Sequence, residues 1–139
     1  MGSSKKSSIS NKRIGRTRPS RLRIEPVAYQ KYLQLALKLP GAEESTSYGT
    51  PAVKIKGKLL SRLRTEAEGA LALRCDFLDR QILLQANPRA FFITEHYRDY
   101  PMILVWLEKI DRGTLADITL RGWRMVAPKK LVAEYEAKR

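Results

Sequence analysis

The stretch that decides the fold is PAVKIKGKLLSRLRTEAEGALALRC, residues 51–75. Large apolar side chains alternate along it with polar or small ones, which is the period of a half-buried β-strand. Gly57 and the segment 65–69 interrupt the alternation where tight turns would fall. The segments that alternate are 52–56, 58–64 and 70–75. The sequence therefore predicts a meander of three antiparallel strands with one apolar face and one solvated face.

Predicted helices flank this meander on both sides. Pro26 suits the first position of a helix, and Pro40-Gly41 ends the apolar stripe that follows it. The polar stretch 43–50 predicts a loop that could contain a short edge strand. The other predicted elements are helices 26–39, 78–86, 115–126 and 128–138 and strands 91–94 and 101–109. This order predicts one α+β domain over residues 25–139, an antiparallel sheet with helices packed on one face.

Basic residues outnumber acidic ones by 27 to 14, a net charge of +13, and this excess favours a polyanionic partner. Two short segments carry this excess of positive charge. Residues 1–24 contain eight basic residues, no acidic residue and few large apolar side chains, which predicts a disordered basic arm. The arm's candidate phosphate-binding residues are Arg13, Arg16, Arg18, Arg21 and Arg23. The second segment, 52–64, contains five basic residues and no acidic one.

The hairpin formed by this second segment is the folded part of the predicted interface. Lys54 and Lys56 alternate with apolar residues, and Arg62 and Arg64 share a face of the returning strand. If the strand register places both pairs on the solvated face, four cations lie close together and favour contact with phosphates. A solvated face that is merely rich in Lys and Arg is the alternative. The candidate nucleic-acid-binding residues of the domain are Lys54, Lys56, Lys58, Arg62, Arg64 and Arg74, with Lys129 and Lys130 as a weaker second patch.

Composition gives little support to catalysis or metal binding. One Cys and one His cannot supply a conventional zinc site, and a single Cys cannot form an internal disulfide. Cys75 lies on the apolar face of a predicted strand, where it is expected to be a small core residue. No motif for a nucleophile, a phosphate loop or a carboxylate pair is present, so we expect no catalytic residues, no cofactor and no metal. Without a spanning segment or secretory signal, the expected location is cytoplasmic.

Loop residues support a second hypothesis. His96 lies between two predicted strands, and Tyr48, Tyr97 and Tyr100 lie in predicted loops, where tyrosines either fix a strand end or line a pocket. The alternative function is a small-molecule-binding or catalytic domain with a pocket around Glu44, Tyr48, His96 and Tyr97. This hypothesis requires a concave pocket that holds His96, whereas nucleic-acid binding requires a convex or grooved basic surface. A protein-interaction adaptor without a ligand is a third possibility.

Five segments resemble the MmcQ/YjbR-like family of small bacterial proteins. They are LPGAEE (39–44), SYGTPAVKIKGK (47–58), LRCDF (73–77), FFITEHYRDYPMILVWL (91–107) and WRMVAPKKLVAEY (123–135). The match covers about residues 27–136, without the arm, and implies a CyaY-like (frataxin-like) fold and DNA binding. The matched positions, many of them suited to turns and packing, include Glu44, Gly49, Pro51, Lys54, Gly57, Lys58, His96, Tyr97, Pro101, Trp123, Pro128 and Lys129.

The frataxin-like fold also raises iron binding, which would require an acidic ridge of clustered oxygen ligands. Predicted helix 26–39 instead carries Lys31 and Lys38 and no acidic residue, so iron handling is not expected. The leading prediction is therefore a non-enzymatic, cytoplasmic nucleic-acid-binding module, monomeric by default. DNA is favoured over RNA, and duplex DNA held by phosphate contacts is favoured most.

Overall fold

The predicted meander forms the middle of a larger sheet in the computed structural model, which describes residues 27–64 and 69–138. The strands are β1 (Ala42–Ser47), β2 (Thr50–Ile55), β3 (Lys58–Leu63), β4 (Ala70–Arg74), β5 (Phe91–Phe92) and β6 (Met102–Trp106). They form one six-stranded sheet in the order β1-β2-β3-β4-β6-β5, and every neighbouring pair is antiparallel. The edge strands are therefore β1 and β5.

Four α-helices accompany the sheet within the described ranges. They are α1 (Val27–Ala36), α2 (Phe77–Ala86), α3 (Arg112–Val126) and α4 (Lys129–Ala137). Each contributes apolar side chains to the large core cluster on one face of the sheet. This confirms the predicted α+β class with helices on one face. The predicted arm, residues 1–24, lies outside the described residues.

Polar β1 corrects the prediction that 43–50 is mainly a loop. All six of its residues pair with β2, from Ala42 opposite Ile55 to Ser47 opposite Thr50. Tyr48 and Gly49 form the turn between the two strands, with φ angles of 52° and 79°. Positive φ at both central residues is the geometry that matches the twist of a two-residue hairpin. Because no residue of this edge strand is fully buried, its sequence carries little apolar alternation.

Three other elements are shorter than predicted. Strand 91–94 is reduced to Phe91–Phe92, and strand 101–109 ends at Trp106, where a 3₁₀ turn takes over. The first helix ends at Ala36 instead of residue 39, because the chain tightens into a turn before Pro40. Proline cannot continue the helical hydrogen bonds, so the apolar residues just before it pack from a turn.

The helix face of the sheet holds the main core. Trp123 on α3 is fully buried, and its indole Nε1 donates to the Pro40 carbonyl oxygen at 2.9 Å. Tyr32 on α1 is also fully buried, and its hydroxyl donates to the Ser61 hydroxyl oxygen at 2.7 Å. Burial raises the pKa of Tyr32 well above its ordinary value, because the charged phenolate would lose its hydration. Cys75 is buried in the same cluster, as expected.

The opposite face of the sheet is not the solvated face that the alternation predicted. The chain between β5 and β6 crosses it and buries a second apolar cluster of Ala72, Tyr97, Met102 and Leu104. Trp106 is only half-buried at this face and stacks on Phe92, with ring centroids 4.8 Å apart. The sheet is therefore covered on both sides, by helices on one side and by a loop on the other.

The described residues contain neither a candidate membrane span nor a candidate metal cluster. None of the described helices combines the length and apolar character needed to cross a membrane. Within residues 27–64 and 69–138, no three His, Cys, Asp or Glu side chains are grouped closely enough to hold a metal ion.

Candidate functional site

The loop-covered face contains a concave cavity of about 720 Å³. Its volume lies within the range of about 300–1,000 Å³ that is usual for small-molecule sites. The described residues of its lining combine cationic and aromatic side chains, and none of them is Asp or Glu. They are Tyr48, Leu59, Arg62, Arg64, Arg74, His96, Tyr97, Tyr100 and Met102. We call it the arginine–tyrosine cavity.

A β-bulge decides which residues of β3 reach this cavity. Val53 pairs with Ser61, whereas its neighbour Lys54 pairs with Leu59, so Leu60 is an extra residue on β3. As a result, the side chains of Leu60 and Ser61 both lie on the helix face, and Leu59 packs against the apolar cluster on the cavity face. Simple alternation along 58–64 could not have placed these side chains correctly.

Small neighbours make room for Arg62 at the floor. Arg62 lies between Ala52 on β2 and Ala72 on β4 in the register of three adjacent strands. The residue is only 8% exposed, and its Nη1 donates to the Tyr97 hydroxyl oxygen at 2.9 Å. Since alanine projects only a methyl group from the sheet, the guanidinium can lie low on this face.

Arg64 and Arg74 add two more cations to the lining. Arg74 donates from Nε and Nη2 to the Leu59 carbonyl oxygen, at 3.2 and 2.9 Å. Burial lowers the pKa of Arg74, because partial desolvation disfavours the charged guanidinium. Within the described part of the chain, no carboxylate forms an ion pair with Arg74. The guanidinium carbon of Arg64 lies 5.9 Å from the centre of the Phe92 ring.

Arg80 on α2 holds the loop that forms one wall of the cavity. Its Nη1 donates to the carbonyl oxygens of Tyr97, Tyr100 and Met102 at 3.2, 2.8 and 3.1 Å. Its Nη2 donates to the Arg98 carbonyl oxygen at 2.8 Å. A single planar guanidinium therefore fixes the backbone from which Tyr97 and Tyr100 project.

Aromatic side chains surround the mouth of the cavity. Tyr48, in the β1–β2 turn, is 91% exposed, and the guanidinium carbon of Arg62 lies 5.7 Å from the centre of its ring. The exposed His96 contacts Tyr97 edge to face, with ring centroids 4.7 Å apart. Its ring centroid lies 6.3 Å from that of Tyr100. The mouth thus offers polar-edged rings from two separate parts of the chain.

The predicted pocket residues are brought together with one exception. Tyr48, His96 and Tyr97 line the cavity, but Glu44 does not. Glu44 pairs with Val53, a core residue of the helix face, so its side chain lies on the opposite side of β1 from the cavity. The sequence prediction missed the three arginines as members of this same site.

The predicted exposed cluster on the hairpin does not form as expected. Lys54 shares the cavity face with Arg62, but it is half-buried and lies opposite Glu43 on β1. Lys56 is not on a strand at all: with Gly57 it forms the turn, at φ angles of 50° and 88°. Because Arg62 is buried, the exposed cations of the hairpin are Lys56 and Lys58.

Of the other candidates, Lys129 and Lys130 are exposed at the start of α4. The five candidate arginines of the arm lie outside the described residues.

The part of the chain that forms the cavity matches a known protein family. A model of the YjbR family matches residues 37–125. This chain belongs to the YjbR family. Every described residue that lines the arginine–tyrosine cavity falls inside the matched range. The family resemblance drawn from the sequence is thereby confirmed.

Similar proteins come from mycobacteria and from Deinococcus radiodurans. The uncharacterized proteins Rv2570 of Mycobacterium tuberculosis and Mb2600 of Mycobacterium bovis are each 36% identical to this chain over 55 residues. The match covers 40% of this YjbR chain and 43% of each relative's length. The crystal structure of Deinococcus radiodurans protein DR2400, a DUF419 domain protein, is similar with a TM-score of 0.63 and 17% identity. The structural match covers 73% of this chain and 80% of DR2400. It shows that the two proteins share a fold.

Proposed function

We propose that this protein binds a phosphate-bearing ligand with a planar ring, a nucleotide that is free or part of a nucleic acid, in the arginine–tyrosine cavity. The observation that carries the proposal is a concave lining in which the described residues include three arginines, three tyrosines and a histidine. Arginine binds phosphate oxygens with paired, charge-assisted hydrogen bonds. Tyrosine and histidine rings provide surfaces on which a base can stack.

The electrostatics of Arg74 support an anionic ligand. Its guanidinium is half-buried, and its acceptor is the neutral Leu59 carbonyl. Two further arginines line the same cavity, so positive charge is concentrated where the surroundings have a lower dielectric than water. An anion that enters would offset the partial desolvation of Arg74. A neutral ligand would not supply this compensating charge.

Replacement of Arg74 by glutamine tests the proposal directly. Binding of adenosine 5′-monophosphate and of a short single-stranded oligonucleotide is measured by calorimetric titration at low salt. Loss of a charged hydrogen-bonding group should weaken binding by about tenfold or more. The matched control is Arg89→Gln, since Arg89 is exposed and does not line the cavity. If neither probe binds the unaltered protein, or both variants behave alike, the proposal is wrong.

His96→Ala separates a role in the site from a role in folding. The imidazole is exposed, so we expect the free energy of unfolding to change by less than about 0.5 kcal/mol. Nucleotide affinity should fall, because one ring of the mouth is removed. Mass spectrometry of the ligand after incubation checks that it is recovered unchanged, as a binding role requires. Recovery of a hydrolysed product would instead favour the catalytic alternative.

Duplex DNA bound through its phosphates is the second candidate function. The observation in its favour is the net charge of +13, concentrated in residues 1–24 and in the hairpin that exposes Lys56 and Lys58. This function would use the convex turn and the arm instead of the cavity. It would also retain the expectations of a cytoplasmic location and a monomer. Its signature is a strong salt dependence of binding.

A further inference from the structure

We infer that the ligand enters the arginine–tyrosine cavity phosphate first and that this phosphate is a terminal monoester. The inference rests on the proposed function and narrows it. The cavity would take a nucleoside monophosphate or the phosphorylated end of a strand, and it would discriminate against an internal phosphodiester.

The exposed fractions of the lining residues distinguish a buried floor from an open mouth. At the floor, Arg62, Tyr97 and Met102 are 8%, 9% and 4% exposed. At the mouth, Tyr48 and Tyr100 are 91% and 56% exposed. The most deeply placed charge is thus a guanidinium, and the most accessible groups are aromatic rings. A ligand that matches both must place its anionic end inside and its ring outside.

The charge of the lining favours a monoester over a diester. A phosphate monoester carries about −1.5 to −2 charges at neutral pH and presents three oxygens that accept hydrogen bonds. An internal diester carries a single charge and a sugar on each side of the phosphorus. Bringing that diester to a floor beneath the rings would require both flanking sugars to enter the cavity as well. The three arginines of the lining suit the more highly charged and less hindered terminal group.

The two sides of the mouth come from opposite ends of the sheet. Tyr48 belongs to the turn between β1 and β2, and Tyr100 to the chain between β5 and β6. Tyr48 holds a φ angle of 52°, a left-handed backbone conformation that is costly for a bulky residue. This conformation places an exposed ring beside the guanidinium of Arg62, so the ring site adjoins the phosphate site. A base can therefore stack at the mouth while its phosphate reaches the floor.

Calorimetric titration of the full chain with matched probes tests the inference. The small probes are adenosine 5′-monophosphate, adenosine and inorganic phosphate. The strand probes are three short oligodeoxynucleotides of one sequence, with a 5′-phosphate, with a 3′-phosphate, or with neither. We expect the monophosphate to bind about 100-fold more tightly than adenosine, and at least one phosphorylated strand about tenfold more tightly than the unphosphorylated one. The small and strand arms distinguish a free nucleotide from a strand end.

Two outcomes would overturn the inference, and they differ in what else they affect. If all three strands bind equally well and more tightly than adenosine, while the monophosphate binds no better than adenosine, internal phosphates are recognised and only the terminal-monoester inference fails. If no phosphate-bearing probe binds, the proposed function fails with it.

A second variant tests the orientation of the ligand. Tyr48→Ala should weaken adenosine 5′-monophosphate binding by about tenfold, because a stacking surface is lost. It should leave the weaker binding of inorganic phosphate unchanged, since the arginines remain. Leu78→Ala on α2 is the matched control, a large exposed side chain that does not line the cavity. Equal loss for both probes, or no loss for either, would contradict a phosphate-first orientation with the ring at the mouth.

Discussion

At the scale of single residues, Cys75 shows how burial controls chemistry. It is 7% exposed, and burial raises the pKa of its thiol to about 12, helped by the nearby carboxylates of Asp79 and Asp76. In the unfolded chain a cysteine ionises near pH 8.5. The stability that the neutral thiol contributes is therefore fully present below that pH and is lost as the pH rises toward 12.

This shift makes Cys75 an unreactive thiol in the folded protein. We expect a thiol-specific reagent to label it slowly at pH 8, because the thiolate is the nucleophile and is scarce in the native state. Labelling should become fast in denaturant, where the pKa returns to its ordinary value. Absorbance of the released leaving group measures both rates, and Cys75→Ala gives the blank. Native labelling as fast as that of the unfolded chain would contradict the assigned burial.

Some residues of the site could be predicted from the sequence, and Arg62 shows why others could not. The candidate loop residues Tyr48, His96 and Tyr97 do meet in one cavity, as the pocket hypothesis required. A buried arginine, by contrast, looks like a solvated cation in any alternating pattern. Its place depends on alanines of two neighbouring strands and on the extra residue Leu60. Such register information is carried by pairing between strands and is not visible in one strand's periodicity.

At the scale of elements, Gly122 sets how closely α3 approaches the sheet. A Cβ atom on Gly122 would lie 2.6 Å from the Arg74 carbonyl oxygen and 3.2 Å from a methyl carbon of Leu60. We expect Gly122→Ala to lower the free energy of unfolding by about 1–3 kcal/mol, because helix and strand must move apart. Gly113→Ala, in the first turn of the same helix, is the control. Its Cβ would make ordinary contact at 3.4 Å, so this variant should be neutral or more stable by up to about 1 kcal/mol.

Chemical denaturation of both glycine variants measures these differences. Because Arg74 also lines the arginine–tyrosine cavity, Gly122→Ala should weaken nucleotide binding too. Equal stabilities for the two variants would mean that the close approach of α3 to β4 is not needed.

The loop between β5 and β6 depends on α2 through Arg80. Four carbonyl oxygens of the segment 97–102 accept hydrogen bonds from this side chain. We expect Arg80→Met to lower the free energy of unfolding by about 1–3 kcal/mol, since these bonds involve a charged group. Hydrogen exchange should accelerate in segment 97–102 and stay unchanged in β1. Arg89→Met, at an exposed position on the chain that follows α2, is the control, and unchanged exchange in Arg80→Met would refute this role.

Prediction at the element scale succeeded where an element carries its own pattern. The first helix has a clear apolar stripe and the meander of β2, β3 and β4 a clear alternation, and the other three helices have start or stop signals; all of these elements form. The polar edge strand β1 has none, because its partner β2 supplies the pairing. The bonds of Arg80 to carbonyls 17–22 positions away leave no trace in side-chain pattern either.

At the scale of the whole molecule, total charge and site geometry point to different surfaces. The net charge of +13 indicates a polyanionic partner. Total charge alone does not tell where each cation lies on the folded chain. The fold then removes Arg62 from the outer surface and places it with Arg64 and Arg74 in a cavity. A cavity selects a ligand by shape, whereas Lys56, Lys58 and the basic arm would contact phosphates without reading bases. The two contributions can be measured separately.

The salt dependence of binding separates the contribution of the exposed cations from that of the cavity. If the arm and the hairpin together neutralise about five to eight phosphates of duplex DNA, the logarithm of affinity should fall with the logarithm of salt concentration with a slope of about −4.5 to −7. Removal of residues 1–24 should make the slope shallower and weaken every duplex sequence about equally, because such contacts carry charge and no base information. Fluorescence anisotropy over a salt series measures both proteins.

The nucleotide in the cavity should respond differently to the same deletion. Under the proposed function its phosphate would be held by arginines of the folded domain, so adenosine 5′-monophosphate affinity should be nearly the same with and without residues 1–24. An unchanged slope for duplex DNA would mean that the arm takes no part in binding. If neither protein binds duplex DNA at low salt while the monophosphate binds both, the second candidate function is wrong, and the charge excess serves the approach of small anions to the cavity.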